Sequence, residues 1–515
     1  MLTTKETLQL LRREWTRLRR PGRLVAMAAA ALVVVAFGLL SALGGHTSCD
    51  GPCPAEPTGP DGSRVDDQFY FLHRDLGESG SITVRLTSMS GTITYPPPDH
   101  DRIVPGLVPW AKAGIIIKDG IRQGSSYAAL MLTGSHGVRM QYDYHHDIAG
   151  GGGGVSAGSP RWLRLTRSGD TVTGYESADG ERWVKVGTAR LSGLPGTVQV
   201  GLFAASPGDL TLRSVGLGGA TEQVRFTQAG GVFDNVALNG AVPAGSWKTD
   251  AVGEMNRTDW EKYHRASGAV ERNGTFTVTG TGDIGPGGTE GGGLPVERSL
   301  GGLPLGLIVV LVVAVRFVTS GPGHPRGSAD GTPLTRRALA AKAVVVGALA
   351  FGTGLLATGI VIPVAVATST GSGTSVVEVS ALTSVRVAVG AAAVLALAAV
   401  FALALSALLR RGRLAIAVAV LTIAVPYTVT SFPLLADGLA QWLLRVTPAA
   451  GFAAQQTLIE YPQVVAHYAP STGYFPLPWW AGLAVLCAYT ATLLGLALSR
   501  LPQGGRRTGQ PVSRS

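Results

Sequence analysis

Residues 24–44 read LVAMAAAALVVVAFGLLSALG, a run without a single charge. A bilayer core of about 30 Å takes about 20 apolar residues in a helix to cross, so this run predicts a membrane span. A basic leader also precedes secretory signals, but their apolar run is about 7–15 residues, and SALGG is a poor cleavage site. The other long apolar runs all follow residue 300 or so, at about 300–319, 338–367, 384–409, 413–435 and 478–499. The shortest, LPLGLIVVLVVAV, gives 13 apolar residues before Arg316, which must snorkel to the interface. Between the first and second spans lie about 255 polar, Gly-rich residues. The expectation is a multi-pass membrane protein with one very large loop.

Short loops rich in Lys and Arg stay cytoplasmic. Residues 1–23 carry Lys5, Arg12, Arg13, Arg17, Arg19, Arg20 and Arg23. The 316–342 connection carries Arg316, Arg326, Arg336, Arg337 and Lys342; the 410–413 turn (RRGR) and the tail after Arg500 are basic too. The alternate loops, 368–383 and 436–477, hold Arg445 as their one basic residue. Six spans with both termini inside fit this alternation; five spans would invert every loop after residue 320. The net charge of +10 divides accordingly into −5 over residues 46–300 and +15 over the rest. Basic residues against an anionic inner leaflet explain the high pI, and no nucleic-acid partner is implied. Cys49 and Cys53 (CDGPC) follow the first span, where oxidation is open to them, and a disulfide between them is expected. Cys487, in an apolar run, reads as a small packing residue.

Residues 7–20 (TLQLLRREWTRLRR) place Leu8, Leu11, Trp15 and Leu18 at helical spacing. This predicts an amphipathic helix on the inner leaflet, with contact to a cytoplasmic partner as the other reading. Pro21-Gly22 ends it.

The large loop reads as strand after strand over 64–218, with period-2 alternation plain in Trp162-Leu163-Arg164-Leu165-Thr166-Arg167 and turns at SGD and SADG. Such spacing predicts a sandwich or jelly roll. Residues 219–299 form either a second, smaller β module or an extension of the first, ending in a Gly-rich linker. His145-His146-Asp147 is a poor metal set, because neighbours on a strand point to opposite faces. The order WAKAGI (110–115), SSYAAL (125–130), WLRLTRSGD (162–170), SADGERW (177–183) and VGLFA (200–204) resembles a concanavalin/laminin-G-like jelly roll. Such domains bind glycans or mediate contacts. Trp110, Tyr127 and Arg139 are the candidate ligand face, while Trp110, Trp162 and Trp183 fit core or sheet-face positions better than a sugar platform.

The remainder resembles the permease subunit of type-2 ABC exporters. LRREWTRLRR is similar to its interface helix, RRALAAKAVVVG (336–347) to the entry of its third span, and LLRRGRLAIA (408–417) to its turn between spans four and five. RVTPAAG (445–451) and YFPLPWWAG (474–482) are similar to its outer segment and sixth span. The departure is SGPGHPRGSADGTP (320–333), a Gly/Pro-rich loop where that family carries a polar coupling stretch.

The expected fold is therefore a six-helix transmembrane domain with an all-β sandwich inserted between the first and second spans. Its parts are an interface helix (1–23), span 1 (24–44), the β domain (45–218 with 219–299), spans 2–6 (300–499) with a re-entrant outer segment at 436–477, and a basic tail (500–515). The chain has no GxxxxGK[ST], GxSxG or HExxH, so neither enzyme activity nor a cofactor is expected of it. By the resemblance, a separate cytoplasmic ABC ATPase docks on Arg12, Trp15, Arg17, Arg336 and Arg337, and a second copy or a similar permease completes the pathway. Arg386, the one charge in the outer half of a span, fits a snorkelling residue. The apolar walls suit a lipid or peptide cargo. A surface receptor or glycan-binding protein without transport is the alternative.

Overall fold

The computed structural model describes residues 4–43, 57–95, 101–214, 220–253, 266–287, 295–319, 334–371, 379–432, 435–464 and 468–502. Cys49 and Cys53 lie outside them. The helices are α1 (Thr4–Leu18), α2 (Pro21–Leu43), α3 (Leu303–Thr319), α4 (Arg336–Gly371), α5 (Ala381–Leu409), α6 (Gly412–Ala419), α7 (Val425–Ser431), α8 (Asp437–Val446) and α9 (Trp479–Ser499). Among the described residues, six helical segments are long and apolar enough to cross a membrane: Pro21–Leu43, Val296–Thr319, Arg336–Ser369, Ala381–Leu409, Gly412–Ser431 and Trp479–Ser499. The second gains length from a 3₁₀ turn, Val296–Leu300, ahead of α3. The fifth joins α6 to α7 through a π turn, Val420–Ala424. Pro426 follows it, and proline lacks the N–H that a regular ladder requires.

α3 and α5 form the centre of the bundle, with Leu307, Val310, Leu311 and Ala314 against Ala391, Leu395, Ala398 and Ala402, all within 1% of full burial. Small residues allow close approach. A Cβ at Gly306 would sit 3.0 Å from Ala30 O on α2, and one at Gly482 only 2.2 Å from Ala450 O. α2 and α9 line the outside, leaving Leu32, Leu40 and Trp480 more than 60% exposed. Contiguous apolar surface of this kind suits a lipid surround. Cys487 of α9 faces outward there, not into packing as the sequence suggested.

The described residues between 57 and 287 form two large antiparallel sheets and one short two-stranded pair. In the seven-stranded sheet the strand order is Lys248–Val252, Phe69–Leu76, Val198–Ala205, Lys112–Lys118, Tyr127–Thr133, Val138–Tyr142 and His146–Ala149. The nine-stranded sheet runs through Val184–Arg190, Thr171–Ser177, Arg161–Ser168, Ser79–Thr94, Ala220–Gly240, Thr275–Gly280 and Gly268–Arg272. Alternation sets the packing: Leu163, Leu165 and Val172 enter the core beside Ile115, Leu130 and Leu202. The SGD turn needs a left-handed residue, and Gly169 supplies it at φ +59°. Ala220–Gly240 pairs along Ser79–Thr94, and Lys248–Val252 pairs with Phe69–Leu76. The strands after residue 219 therefore extend the first sandwich; they do not build a second module.

The other face of the seven-stranded sheet is also buried, under the short pair Val65–Asp67 and Ile284–Pro286. Here Lys118 and Asp67, both fully buried, meet at 2.7 Å, and Tyr144 Oη donates to Asp67 Oδ2 at 2.7 Å. Burial pushes the Lys118 ammonium down and the Tyr127 and Tyr144 phenols up, with the Asp67 carboxylate adding to both phenol shifts. Lys118→Met strands a buried carboxylate and is expected to lower stability by about 3–5 kcal/mol, read as the melting transition of the detergent-purified protein. Asp67→Leu added to it is expected to recover most of that loss.

Candidate functional site

Charged groups buried among apolar helices are costly unless paired, and in a membrane they mark functional positions by default. Two such nodes stand out, at opposite ends of the bundle.

The first is under α1. Glu14 is 2% exposed and lies 2.8 Å from Lys342 Nζ of α4, as an ion pair and not an aligned hydrogen bond. Arg17 donates to the other Glu14 oxygen at 3.1 Å. The Lys342 ammonium sits 4.1 Å from the Phe317 ring centroid of α3, and Arg23 stacks over the same ring. Arg23 also donates to Arg17 O at 2.8 Å, serving a carbonyl that the end of α1 leaves open. So α1 is tied directly to α2 and α4, whose two cations meet on the Phe317 ring of α3. Its packed face carries Leu11, Glu14 and Leu18, whereas Leu8 and Trp15 are 53% and 42% exposed. This corrects the apolar face read from spacing. At 100° per residue, Glu14 falls between Leu10 and Leu18, and Leu8 and Trp15 fall on the flank.

The five residues expected to couple to an ATPase therefore separate. Arg12 and Trp15 are exposed on α1, and Arg337 on the first turn of α4. Arg17 is taken up by Glu14. Arg336 donates to Leu501 O at 2.7 Å and Ser499 O at 3.2 Å, capping the end of α9.

The second node holds the segment 448–457. The 3₁₀ helix Pro448–Gln455 is wholly buried against α5 and α9. Arg386 of α5 donates to Ala454 O and Gln456 O and lies over the Trp479 ring. Its guanidinium, on the second turn of α5, is turned onto these carbonyls. Glu297, 5% exposed on the turn before α3, accepts from Thr457 N at 3.2 Å and from Thr457 Oγ1. Gln455 is fully buried, and its amide finds no partner among the described residues. Spacing alone passes over Glu297, although PVERSL sets an acid just ahead of an apolar run.

The β region meets the residues that follow this segment. The His145 ring lies 5.3 Å from the Tyr461 ring. Ser63, His145 and Asp61 have the residue types of a hydrolase triad without its geometry. Ser63 Oγ (2.5 Å) and Asp61 Oδ2 (3.6 Å) both lie against Nε2, while Nδ1, the atom a triad carboxylate must hold, is buried without a partner among the described residues. His146 instead stacks on Tyr142 at 4.2 Å, so the two histidines diverge. Burial holds the His145 pKa below the usual 6.5, with Asp61 opposing. The protonated ring is disfavoured in the folded state, so stability is present above about pH 6.5 and is lost as pH falls through the lowered value. The protection factor at 461–464, taken after division by the intrinsic exchange rate at each pH, is expected to fall between pH 7 and pH 5, and His145→Asn to flatten that dependence.

Of the candidate ligand face, Trp110 is 4% exposed and stacks on His136 at 4.0 Å, and Arg139 lies over Trp110 while paired with Asp147. Tyr127 is fully buried against Tyr144. The three do not form an open face, because the edge segments cover them.

No family model and no curated sequence matches the chain. Among solved structures it is similar to a functionally unknown protein from Saccharomyces cerevisiae, at 15% identity over 39% of this chain and 94% of that one, with a TM-score of 0.21. It is also similar to scytalido-glutamic peptidase bound to a transition state analog inhibitor, at 10% identity over 41% and 98%, TM-score 0.28. A third is the GH43 protein BlXynB from Bacillus licheniformis, at 17% identity over 25% and 24%, TM-score 0.18. At these TM-scores none bears on function.

Proposed function

We propose that the chain is the membrane-spanning permease subunit of an ATP-driven exporter of the type-2 ABC class. Both termini lie in the cytoplasm, and residues 45–299 form an extracellular domain. The observation that supports this reading best is the lashing of α1 to the inner end of α4 by Glu14 and Lys342. An amphipathic helix tied to two spans, with Arg12 and Trp15 still exposed, is a lever through which a cytoplasmic motor can tilt the bundle. An anchor for a surface domain needs one span and no lever. A separate ABC ATPase supplies the hydrolysis, and a second copy or a homologous permease supplies the other half of the pathway. The 448–457 segment, held by Arg386 and Glu297, is the outer gate in this reading.

The test is a pull-down of the tagged protein from its native membrane in mild detergent, followed by an ATPase assay. A co-purifying nucleotide-binding subunit with vanadate-sensitive activity is expected. A clean eluate, after crosslinking as well, overturns the exporter in favour of a surface receptor or glycan-binding protein. The contact between His145 and Tyr461 favours the receptor of those two, since it links the β domain to the bundle.

A further inference from the structure

We propose that Lys112 and Asp283 react with each other to form an intramolecular isopeptide bond, which fastens the exit of the β region covalently. Lys112 opens the strand Lys112–Lys118, and its side chain is fully buried on the face covered by the short pair Val65–Asp67 and Ile284–Pro286. Asp283 is the residue just ahead of Ile284–Pro286. Lys112 Nζ donates to Asp283 Oδ1 and, at 2.7 Å, to Ile284 O. Asp283 Oδ1 also accepts from Ile284 N at 2.8 Å, and Asp283 O accepts from Gln68 N at 2.7 Å. The amine and the carboxyl are therefore held against each other by the backbone of the strap itself, a preorganisation that replaces a bimolecular encounter. Phe69, Phe203, Ala205 and Ile284 are buried on the same face. An ion pair in such surroundings carries a desolvation cost that a neutral amide of the same atoms does not.

The condensation balances without an oxidant or a cofactor. Lys112 Nζ, once it has given up a proton, attacks Cγ of Asp283, and the C–N bond forms as the C=O pair moves onto Oδ1. The Ile284 N–H already on Oδ1 stabilises the charge that develops there. The Cγ–Oδ2 bond then breaks, Oδ2 leaves as water with two of the three ammonium protons, and Oδ1 returns to a carbonyl. The third proton stays on the amide nitrogen, which keeps Ile284 O as its acceptor. Oδ2 has no protein partner among the described residues, and the Asp283 side chain is 16% exposed, so solvent relays the protons and the water has a way out. The other Lys–Asp pair of this face lacks that exit. Lys118 and Asp67 are both fully buried, Asp67 Oδ2 is fixed by Lys118 Nζ, Gly124 N and Tyr144 Oη together, and this pair stays ionic. The bond has a mechanical consequence. Asp283 lies shortly ahead of the second apolar segment, which begins at Val296, so a pull between span and sandwich reaches the sheet through covalent atoms, not through the three-residue pairing of the strap alone. The reaction is independent of transport.

The test is mass spectrometry of the full chain, purified in detergent and reduced. Its intact mass is expected to fall short of the sequence mass, for the same N-terminus, by one water. Lys112→Met and Asp283→Ala are each expected to match their own sequence mass. A tryptic digest of the parent protein is expected to yield a branched peptide that joins residues 103–118, uncut after Lys112, to residues 273–298. That peptide needs no variant, so it decides the matter whether or not the variants fold. An intact mass equal to the sequence mass, with ordinary cleavage after Lys112, overturns the proposal. So does a water deficit that persists in Lys112→Met, which places a cyclic imide elsewhere in the chain, or a branched peptide that runs through Asp67 instead of Asp283.

Discussion

Lys342→Met is expected to release α1 from the bundle while the spans remain inserted. Glu14 is then buried without a cation from α4, and removing one partner of a buried ion pair costs about 3–5 kcal/mol. The cheapest response is for the helix to leave and take Glu14 into water. A 15-residue helix is marginal by itself, so a detached α1 frays. Trypsin should then cut at Arg12, Arg13 and Arg17 at least tenfold faster in inside-out vesicles, and co-purification with an ATPase should be lost. The double variant Glu14→Leu/Lys342→Met separates charge from position. Replacing both partners with apolar groups is often neutral, so α1 should stay protected from trypsin. If it regains the ATPase as well, the pair acts by holding α1 in place; if it stays protected without the ATPase, the charges themselves take part in coupling. Unchanged digestion in Lys342→Met would sink the lever.

How much of this is legible in the sequence depends on which physical constraint writes it. Lipid demands about 20 apolar residues per span, so the six segments stand out of the hydropathy pattern, and the structure moves their ends by a turn or so. The sandwich is legible in WLRLTRS because one buried face forces a period of two. The extent of the sandwich is less so: Ala220–Gly240 carries Gly230, Gly231 and Gly240, which weaken the alternation, and its partner strand is fixed only by the fold. Polar pairings are the least legible. Glu14 meets Lys342 across the whole β region, and Glu297 meets Thr457 across six helices, α3 to α8. A wheel drawn from apolar residues drops the carboxylate at its centre, which is why Trp15 is drawn onto the packed face. Tyr127 fails as a surface residue for a related reason: its strand is buried on both sides, and an unbroken YAALMLT cannot say which side is open.

Arg386→Met is expected to loosen the 448–457 segment without unfolding the bundle. Two charged side chains from different spans grip the same four residues, Arg386 at the carbonyls of Ala454 and Gln456 and Glu297 at Thr457. Losing the guanidinium removes two donors from buried carbonyls and leaves Glu297 without its nearest cation. Arg386 is only half-buried, so a charge-assisted contact of this kind is worth about 1.5–3 kcal/mol, a ten- to hundredfold shift toward the released segment. Ala453, 2% exposed, reports on it: in a background with the native cysteines replaced by serine, Ala453→Cys should react slowly with an externally added maleimide, and at least tenfold faster once Arg386→Met is present. Arg386→Lys is the informative companion. It keeps the charge near Glu297, but a single ammonium cannot span two carbonyls as the planar guanidinium does, so an intermediate rate separates geometry from charge. If both variants label as slowly as the parent, the segment is held by apolar packing of α9 on Pro448–Gln455 alone, and the outer gate must be sought elsewhere. If release in Arg386→Met also raises basal ATPase activity of the co-purified complex, the outer clamp and the inner lever are two ends of one mechanical path, because Arg386 and Lys342 sit on α5 and α4, which pack along each other.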